Sequence, residues 1–390
     1  MEMRIPLSAP DISEADIEAV VSVLRTPRLS IGPKMEKFEA SMAEAAGARH
    51  GIAVSSGTAG LHLCLCALGI GEGDEVILPS FTFIAAGNAI LYQRARPVFV
   101  DIDPITLNLN PARVEKMITP RTRAIIVVHT FGHPADLDPI LDIARQHSLA
   151  VIEDACEAIG AQYHGRKVGG IGDLGVFGFY PNKPITTGEG GMVVTQDSHL
   201  ANMIRALRNQ GRMASGGWLD HTLLGYNYRL SEMNCALGVA QMKRLGEILE
   251  TREALATRYA SALQSIPEVT LPPLTIEGGR VCWFVFVVRL PVRFTRADRD
   301  LIWEQLTAQG IGCGRYFAPL HLQPLFAEYA NPRDDLAITE HVADRTLALP
   351  FFDRLTETQI REVCRTLQGA IRSISERSPQ AVSAEAGRKT

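Results

Sequence analysis

Three short stretches of the chain carry side chains that could act together on one small molecule. In GVFGFYPNKPITTGEGGMVV, Lys183 lies between a strand-like run and a turn shaped by Pro184, Thr186, Thr187, Gly188, Gly190 and Gly191. A lysine amine kept from water can attack an aldehyde and form a Schiff base. A merely solvated lysine needs no such tightly shaped backbone. In VIEDACEAIGA an apolar strand ends in Glu153 and Asp154, at the carboxyl edge where open α/β sheets bind ligands. A carboxylate there could keep a pyridine nitrogen protonated, so that the ring accepts electrons when a Cα–H bond breaks. It could equally cap the following helix. In AVSSGTAGLHL a buried strand ends at Ser55, Ser56, Gly57 and Thr58 and a helix begins at once. Free N–H groups and hydroxyls at such a helix start favour a phosphate, although Ser and Thr are also routine N-caps.

These residues need elements to place them. From residue 49 to about 195, apolar strand-like runs (HGIAVSS, DEVILP, RPVFVDI, RAIIVVHTF, LAVIEDA) alternate with helical segments (AGLHLCLCALGI, FIAAGNAILYQ, LDPILDIARQH). Strands that are apolar throughout, separated by helices, predict a mainly parallel sheet covered on both faces, an α/β core. Before it, DISEADIEAVVSVLRT and PKMEKFEASMAEAAGA read as two helices. A helix SHLANMIRALRN, a Gly-rich loop and a long helix from Ser231 past Tyr259 follow, and then a second alternation (VCWFVFVVRL, RADRDLIWEQLTAQG, IGCGRYF, TETQIREVCRTLQGAIRSI). The expected organisation is a large domain over 1–248, a smaller α+β domain over 249–375, and a disordered polar tail over 376–390.

Composition narrows the partners. The net charge is -4 and charged residues make up 21% of the chain without long runs of one sign, so neither nucleic acid nor an acidic tail is proposed. Seven cysteines without paired CxxC spacing indicate neither a metal site nor a disulfide framework, which fits a reducing, cytoplasmic setting. No stretch approaches about 18 consecutive apolar residues, and the N-terminus lacks the apolar run of a signal peptide.

Together SSGTAGLHL, GDEVILPSFTFIAAGNAI, RPVFVDID, EDACEAIGA, FGFYPNKPITTGEGGM and LGYNYRLSEMNCALG resemble the sugar aminotransferases of DegT/DnrJ/StrS type, within the aspartate aminotransferase fold, over roughly residues 5 to 370. The resemblance implies a three-layer sandwich, pyridoxal 5'-phosphate, a homodimer with shared active sites, and polysaccharide or amino-sugar biosynthesis. It further implies a nucleotide-linked keto sugar as acceptor and glutamate as donor. On the matching positions, Lys183 takes the place of the Schiff-base lysine and Asp154 that of the partner of the ring nitrogen. Ser56, Gly57 and Thr58 fall in the phosphate turn, and Phe83 at the aromatic that stacks on the ring. Glu157 stands where many members carry Gln near the cofactor's phenolic oxygen. Gly178 stands where many carry a phosphate-binding Ser. Asn227 or Arg229 is expected to reach the partner subunit's phosphate site. Arg212, Arg315, Tyr316 and His321 fall in segments resembling substrate-facing loops, and an exposed structural role is the alternative for each. His129, ending strand IIVVH, is either at the ligand edge or a hydrogen-bonded core histidine.

The expected chemistry is amino transfer in two half-reactions, with Lys183 as the mobile base and acid. A cyclitol ketone as acceptor and a regulator that keeps the fold without turnover are the alternatives. A dehydratase of the same fold typically replaces the lysine by histidine, and Lys183 opposes it.

Overall fold

The computed structural model describes residues 3–213, 220–329 and 335–386. Two helices open the chain. Helix α1 (Glu14–Leu24) starts with a capping box between Ser13 and Asp16, and α2 (Pro33–Ala46) starts with proline and ends on Gly47 in the left-handed region. The α/β alternation then runs β1 (His50–Val54), α3 (Gly57–Ala67), β2 (Glu75–Pro79), α4 (Ala85–Tyr92), β3 (Arg96–Val100), the short α5 (Pro111–Val114), β4 (Thr122–Val128), α6 (Leu137–His147) and β5 (Ala150–Asp154). A small hairpin, β6 (Gln162–Tyr163) and β7 (Arg166–Lys167), precedes β8 (Leu174–Gly178), β9 (Gly191–Thr195) and α7 (Ser198–Arg208).

The main sheet has seven strands in the order β1-β9-β8-β5-β4-β2-β3, and only β9 runs antiparallel to its neighbours. This is the mainly parallel sheet expected from its apolar strands. Each face carries its own core. Phe38, Ile77, Val127, Val151 and Phe177 belong to one, and Val54, Leu61, Leu78, Ile126 and Val176 to the other.

Past Ser231 the expected single helix is two, α8 (Glu232–Lys243) and α9 (Leu245–Leu263), which meet at Arg244. Arg244 donates to Asp11 and Asp16, tying the junction to the chain's first segment. Along α9, Ile248 and Leu249 pack in the large-sheet core, whereas Leu255, Tyr259 and Leu263 pack in a second core. That second core also holds Ile5, from the other end of the expected large domain. Around it lie β10 (Phe286–Arg289), α10 (Arg296–Ala308), α11 (Ala337–Ala343), β11 (Thr346–Leu349) and α12 (Glu357–Ala386). Strand β10 pairs antiparallel with β11, a strand the sequence reading passed over, while IGCGRYF supplies only isolated bridges. The backbone of α12 runs on to Ala386, through the start of the segment expected to be disordered. Residues 387–390 lie outside the described ones. Among the described residues no helix is long and apolar enough to cross a membrane.

A buried carboxylate ties the end of β5 to its surroundings. Glu153 Oε2 accepts from Gly169 N at 2.7 Å and lies 3.0 Å from His129 Nε2, while Oε1 accepts from Ile171 N at 2.7 Å and Gly172 N at 2.6 Å. His129 Nδ1 accepts the Ala135 N–H at 3.0 Å, so the ring's proton sits on Nε2 and is donated to Glu153. Burial alone would raise the Glu153 pKa, but the His129 N–H and the backbone donors reverse this and hold the carboxyl below its ordinary range. Its stabilising contribution is therefore complete above the ordinary value of about 4.3 and disappears as pH falls through the lower native value. Glu153→Gln, whose amide would face N–H donors, is expected to cost about 2 kcal/mol at pH 7. Urea unfolding should show that deficit shrinking below about pH 4; a deficit unchanged by pH would contradict the assignment.

Candidate active site

The carboxyl ends of the parallel strands open into a cavity of about 380 Å³, within the range of roughly 300–1,000 Å³ usual for small-molecule sites. Ser56, Gly57, Thr58, Phe83, Asp154, Glu157, Gly178, Lys183 and Tyr316 line it, so the structure gathers these residues into one place from 260 positions of chain.

Lys183 enters on a braced turn. Its N–H donates to Tyr180 O at 2.9 Å, Thr186 Oγ1 and Thr187 N donate to Phe179 O at 2.9 and 3.0 Å, and Thr186 Oγ1 accepts from Gly188 N at 2.9 Å. Asn234 Nδ2 donates to the carbonyls of Thr187 and Glu189. The backbone is thereby fixed on both sides of the lysine. Its Nζ lies 3.6 Å from Glu157 Oε1 and 4.0 Å from the centre of the Phe284 ring, with 14% of the side chain exposed. Glu157 Oε2 accepts the Phe131 N–H at 2.8 Å, which places the carboxyl under the lysine.

Asp154 sits on the last residue of β5, and its Oδ1 accepts the Cys156 N–H at 3.2 Å. It is buried at 7% exposure, and among the described residues no basic side chain pairs with it. A buried carboxylate in that position is suited to a cationic ligand atom. Across the cavity, Ser56 Oγ accepts the Ala59 N–H at 3.1 Å as the N-cap of α3. The N–H groups of Gly57 and Thr58 have no acceptor within the helix, by its geometry, and are suited to an anion. Gly57 approaches closely: a Cβ there would stand 2.8 Å from Cys156 Sγ. Burial, and then Asp154, hold the Cys156 thiol well above its ordinary range, so it is no thiolate nucleophile at neutral pH.

Several lining residues were absent from the sequence reading. Thr82, Cys156, Tyr180, Asn182 and Glu189 lie inside or beside the quoted motifs and Phe317 directly follows Tyr316, whereas Phe284 arrives from the VCWFVFVVRL run with no local signal. Phe317 stacks on Phe131 with ring centres 5.1 Å apart and meets Phe81 edge-on, closing the aromatic side of the cavity. Among the described residues nothing bonds the buried Asn182 Oδ1.

Other expected residues stand elsewhere. Arg315 lies over the Trp303 ring and 3.2 Å from Asp300, and His321 bridges Ser80 at 2.7 Å and Glu340 at 3.1 Å. Neither they nor Arg212 line the cavity. The segment after Arg212 includes residues 214–219, which are outside the described ones. Asn227 is exposed and bridges Asn209, while Arg229 Nη1 donates to Asn209 Oδ1 at 3.0 Å; both lie outside the cavity of their own chain. His129 is the hydrogen-bonded core histidine described above.

The model of the DegT/DnrJ/EryC1/StrS aminotransferase family matches residues 10–368. The chain belongs to that family. It is 42% identical to the GDP-perosamine synthase of Caulobacter vibrioides over 366 residues, covering 93% of this chain and 97% of that protein. It is 38% identical to DesV of S. venezuelae, with a TM-score of 0.84 over 91% of this chain and 94% of that one. The PLP-form of Spr1654 from Streptococcus pneumoniae is 25% identical, with a TM-score of 0.90 over 95% of this chain and 99% of that one. The protein is a pyridoxal-phosphate-dependent aminotransferase, and the residues present fit the cofactor. An uncompensated Asp154 suits the protonated ring nitrogen, the free N–H groups of α3 suit the phosphate, and the Lys183 amine points into the same space.

Glu157 offers a pH test. Burial raises its pKa above the ordinary range, and Lys183 and the Phe131 N–H offset this only in part. The apoprotein thus holds its full contribution from a protonated Glu157 below about pH 4.3 and loses it as pH rises through the raised native value. Glu157→Gln cannot ionise. Thermal melting of the apoprotein should match wild type at acid pH and exceed it by a margin that grows toward alkaline pH; a margin independent of pH would refute the shift.

Proposed function

We propose that this aminotransferase moves an amino group from glutamate to a keto sugar carried on a nucleoside diphosphate, with Lys183 and Asp154 as its catalytic pair. The observation that carries the reading is the presence of one sheltered amine and one uncompensated carboxylate on the walls of a single cavity. When bound, pyridoxal phosphate supplies an aldehyde for the incoming amine and a ring that takes up the electron pair of a broken Cα–H bond.

The chain's own groups do the rest. Lys183 Nζ holds the cofactor between turnovers; once displaced, it takes a proton from the donor's α-carbon and later returns one. Asp154 accepts the N–H of the ring and keeps the nitrogen protonated. Glu157 lies within 3.6 Å of the lysine and steers the amine as it moves. The α3 N-terminus with Ser56, Gly57 and Thr58 anchors the phosphate, and Phe83 covers the ring and keeps water from it. In the second half-reaction the same groups run the sequence in reverse on the keto sugar. The nucleotide-sugar acceptor is supported by the likeness to GDP-perosamine synthase over nearly the full chain.

Two further readings belong here. A homodimer would bring Asn227 or Arg229, which line no cavity in their own chain, to the partner subunit's phosphate site. A cytoplasmic setting accords with seven cysteines that are all free.

Lys183→Ala is expected to reduce transamination by at least about 10³-fold while leaving the circular dichroism spectrum unchanged. Borohydride treatment of the wild-type holoenzyme should fix the cofactor to the Lys183 peptide. Native turnover in the variant, or label on another lysine, would end this reading. A visible band that responds to glutamate but to no keto sugar nucleotide would leave amino transfer standing and reject the acceptor.

A further inference from the structure

Where Pro104 meets the segments that carry β10 and α11, a shallow cleft of about 500 Å³ collects Arg289, His341 and Arg345 against an apolar wall of Val292, Ile338 and Val342. It shares no lining residue with the catalytic cavity. The two guanidiniums facing one space repel each other unless something anionic lies between them.

The backbone holds them there. Arg289 ends β10; its N–H donates to Thr270 O and its carbonyl accepts the Thr270 N–H, both at 2.9 Å, while Nη1 donates to Pro104 O. Arg345 is only 5% exposed, and its carbonyl accepts the Leu290 N–H at 2.9 Å. Its Nε donates to His341 O at 3.0 Å, one helical turn back. That bond accounts for one edge of the guanidinium. Among the described residues nothing accepts from its Nη1 or Nη2, and no carboxylate pairs with Arg345 or Arg289.

Two nearby carboxylates oppose this repulsion from a distance, each with one oxygen held by other donors. Asp103 Oδ1 accepts from Ile105 N at 2.9 Å, Thr106 N at 2.8 Å and Thr106 Oγ1 at 3.1 Å. Asp344 Oδ1 holds Arg296 Nε at 2.6 Å. Burial, which their fields oppose only in part, lowers the pKa of Arg289 and Arg345; the two guanidiniums add to this at His341 and Arg289 adds to it at Arg345. A guanidinium bonded along one edge, with its terminal nitrogens open to a cleft, has donors to spare. It is well placed to make paired hydrogen bonds to a phosphate.

We propose that this cleft binds the phosphoryl group of a small molecule, with Arg289 and Arg345 on its oxygens and His341 at the rim. The wall of Val292, Ile338 and Val342 takes whatever organic body the phosphate carries. The site is separate from the one that transaminates, so this assignment stands whichever keto sugar the enzyme uses.

Calorimetric titration of the holoenzyme with pyrophosphate, and separately with uridine monophosphate, tests it. The wild type should show a saturable site that survives filling of the catalytic cavity with the aminated product. Its affinity should fall at least tenfold in both Arg289→Gln and Arg345→Gln and weaken with added KCl, while turnover stays within twofold of wild type. Arg345 is buried, so Arg289→Gln and the exposed His341→Gln keep the test independent of how that variant folds. Tighter binding of the nucleotide than of pyrophosphate would assign an organic phosphate, and equal binding the bare oxyanion. Wild-type binding in folded Arg289→Gln, or no site beyond the catalytic cavity, would overturn the proposal.

Discussion

A carboxylate removed from water is costly unless its lone pairs find donors, and β5 ends in two of them. Successive side chains of a strand point to opposite faces, so Glu153 and Asp154 meet different surroundings. Glu153 turns toward the 169–172 segment, where three backbone N–H groups and the His129 ring satisfy it. Asp154 turns to the cavity and receives one backbone N–H from Cys156. The first carboxylate fixes strand and loop; the second, held in place by the first, remains available. A site built to hold a protonated ring nitrogen needs that asymmetry, because two equally satisfied carboxylates would leave nothing for a ligand.

The second constraint is the approach of the 282–284 segment to the end of β4. Gly132 has φ +83°, and a Cβ there would lie 1.7 Å from Cys282 O, so the backbones of the two segments nearly touch at this point. The Cys282 N–H donates to Gly132 O at 3.0 Å. This contact sets Phe131 and Phe284 on neighbouring sides of Lys183: Phe131 presents its N–H to Glu157, and Phe284 presents its ring face to the amine. A cation over an aromatic face is favoured where water is scarce. The lysine is thus steered by residues from two distant stretches of chain, although its own turn is braced locally.

What the sequence reveals and what it hides follows from the range of the interactions. The alternation of strands and helices is local, and Lys183, Asp154 and the start of α3 were legible because each lies at a strand end within a few residues of its bracing turn. Phe284 was not, since only its packing in a cluster with Phe81, Phe131 and Phe317 brings it to the cavity. Arg315 and His321 fall in the expected segment beside Tyr316, yet their side chains are claimed by Trp303 and Asp300, and by Ser80 and Glu340. Spacing along the chain fixes which segment approaches a site, not which partner captures a side chain. The helix break at Arg244 and strand β11 escaped for a related reason: distant carboxylates hold the first, and pairing with β10 makes the second.

Gly178 shows how a missing group can be accommodated. The resemblance to related enzymes leads one to expect a serine hydroxyl there, and the backbone offers none. A Cβ at Gly178 would stand 3.3 Å from Cys156 Sγ, and one at Gly57 would stand 2.8 Å from the same sulfur. The sulfur therefore fills the floor between these two glycines, and a side chain at either would require it to move. With that floor packed, the N–H groups at the start of α3 and the hydroxyls of Ser56 and Thr58 are the donors that remain on this side of the cavity for an anion. The loss of one hydroxyl and the placing of the sulfur are thus a single packing solution, one that leaves the helix start as the principal anion donor.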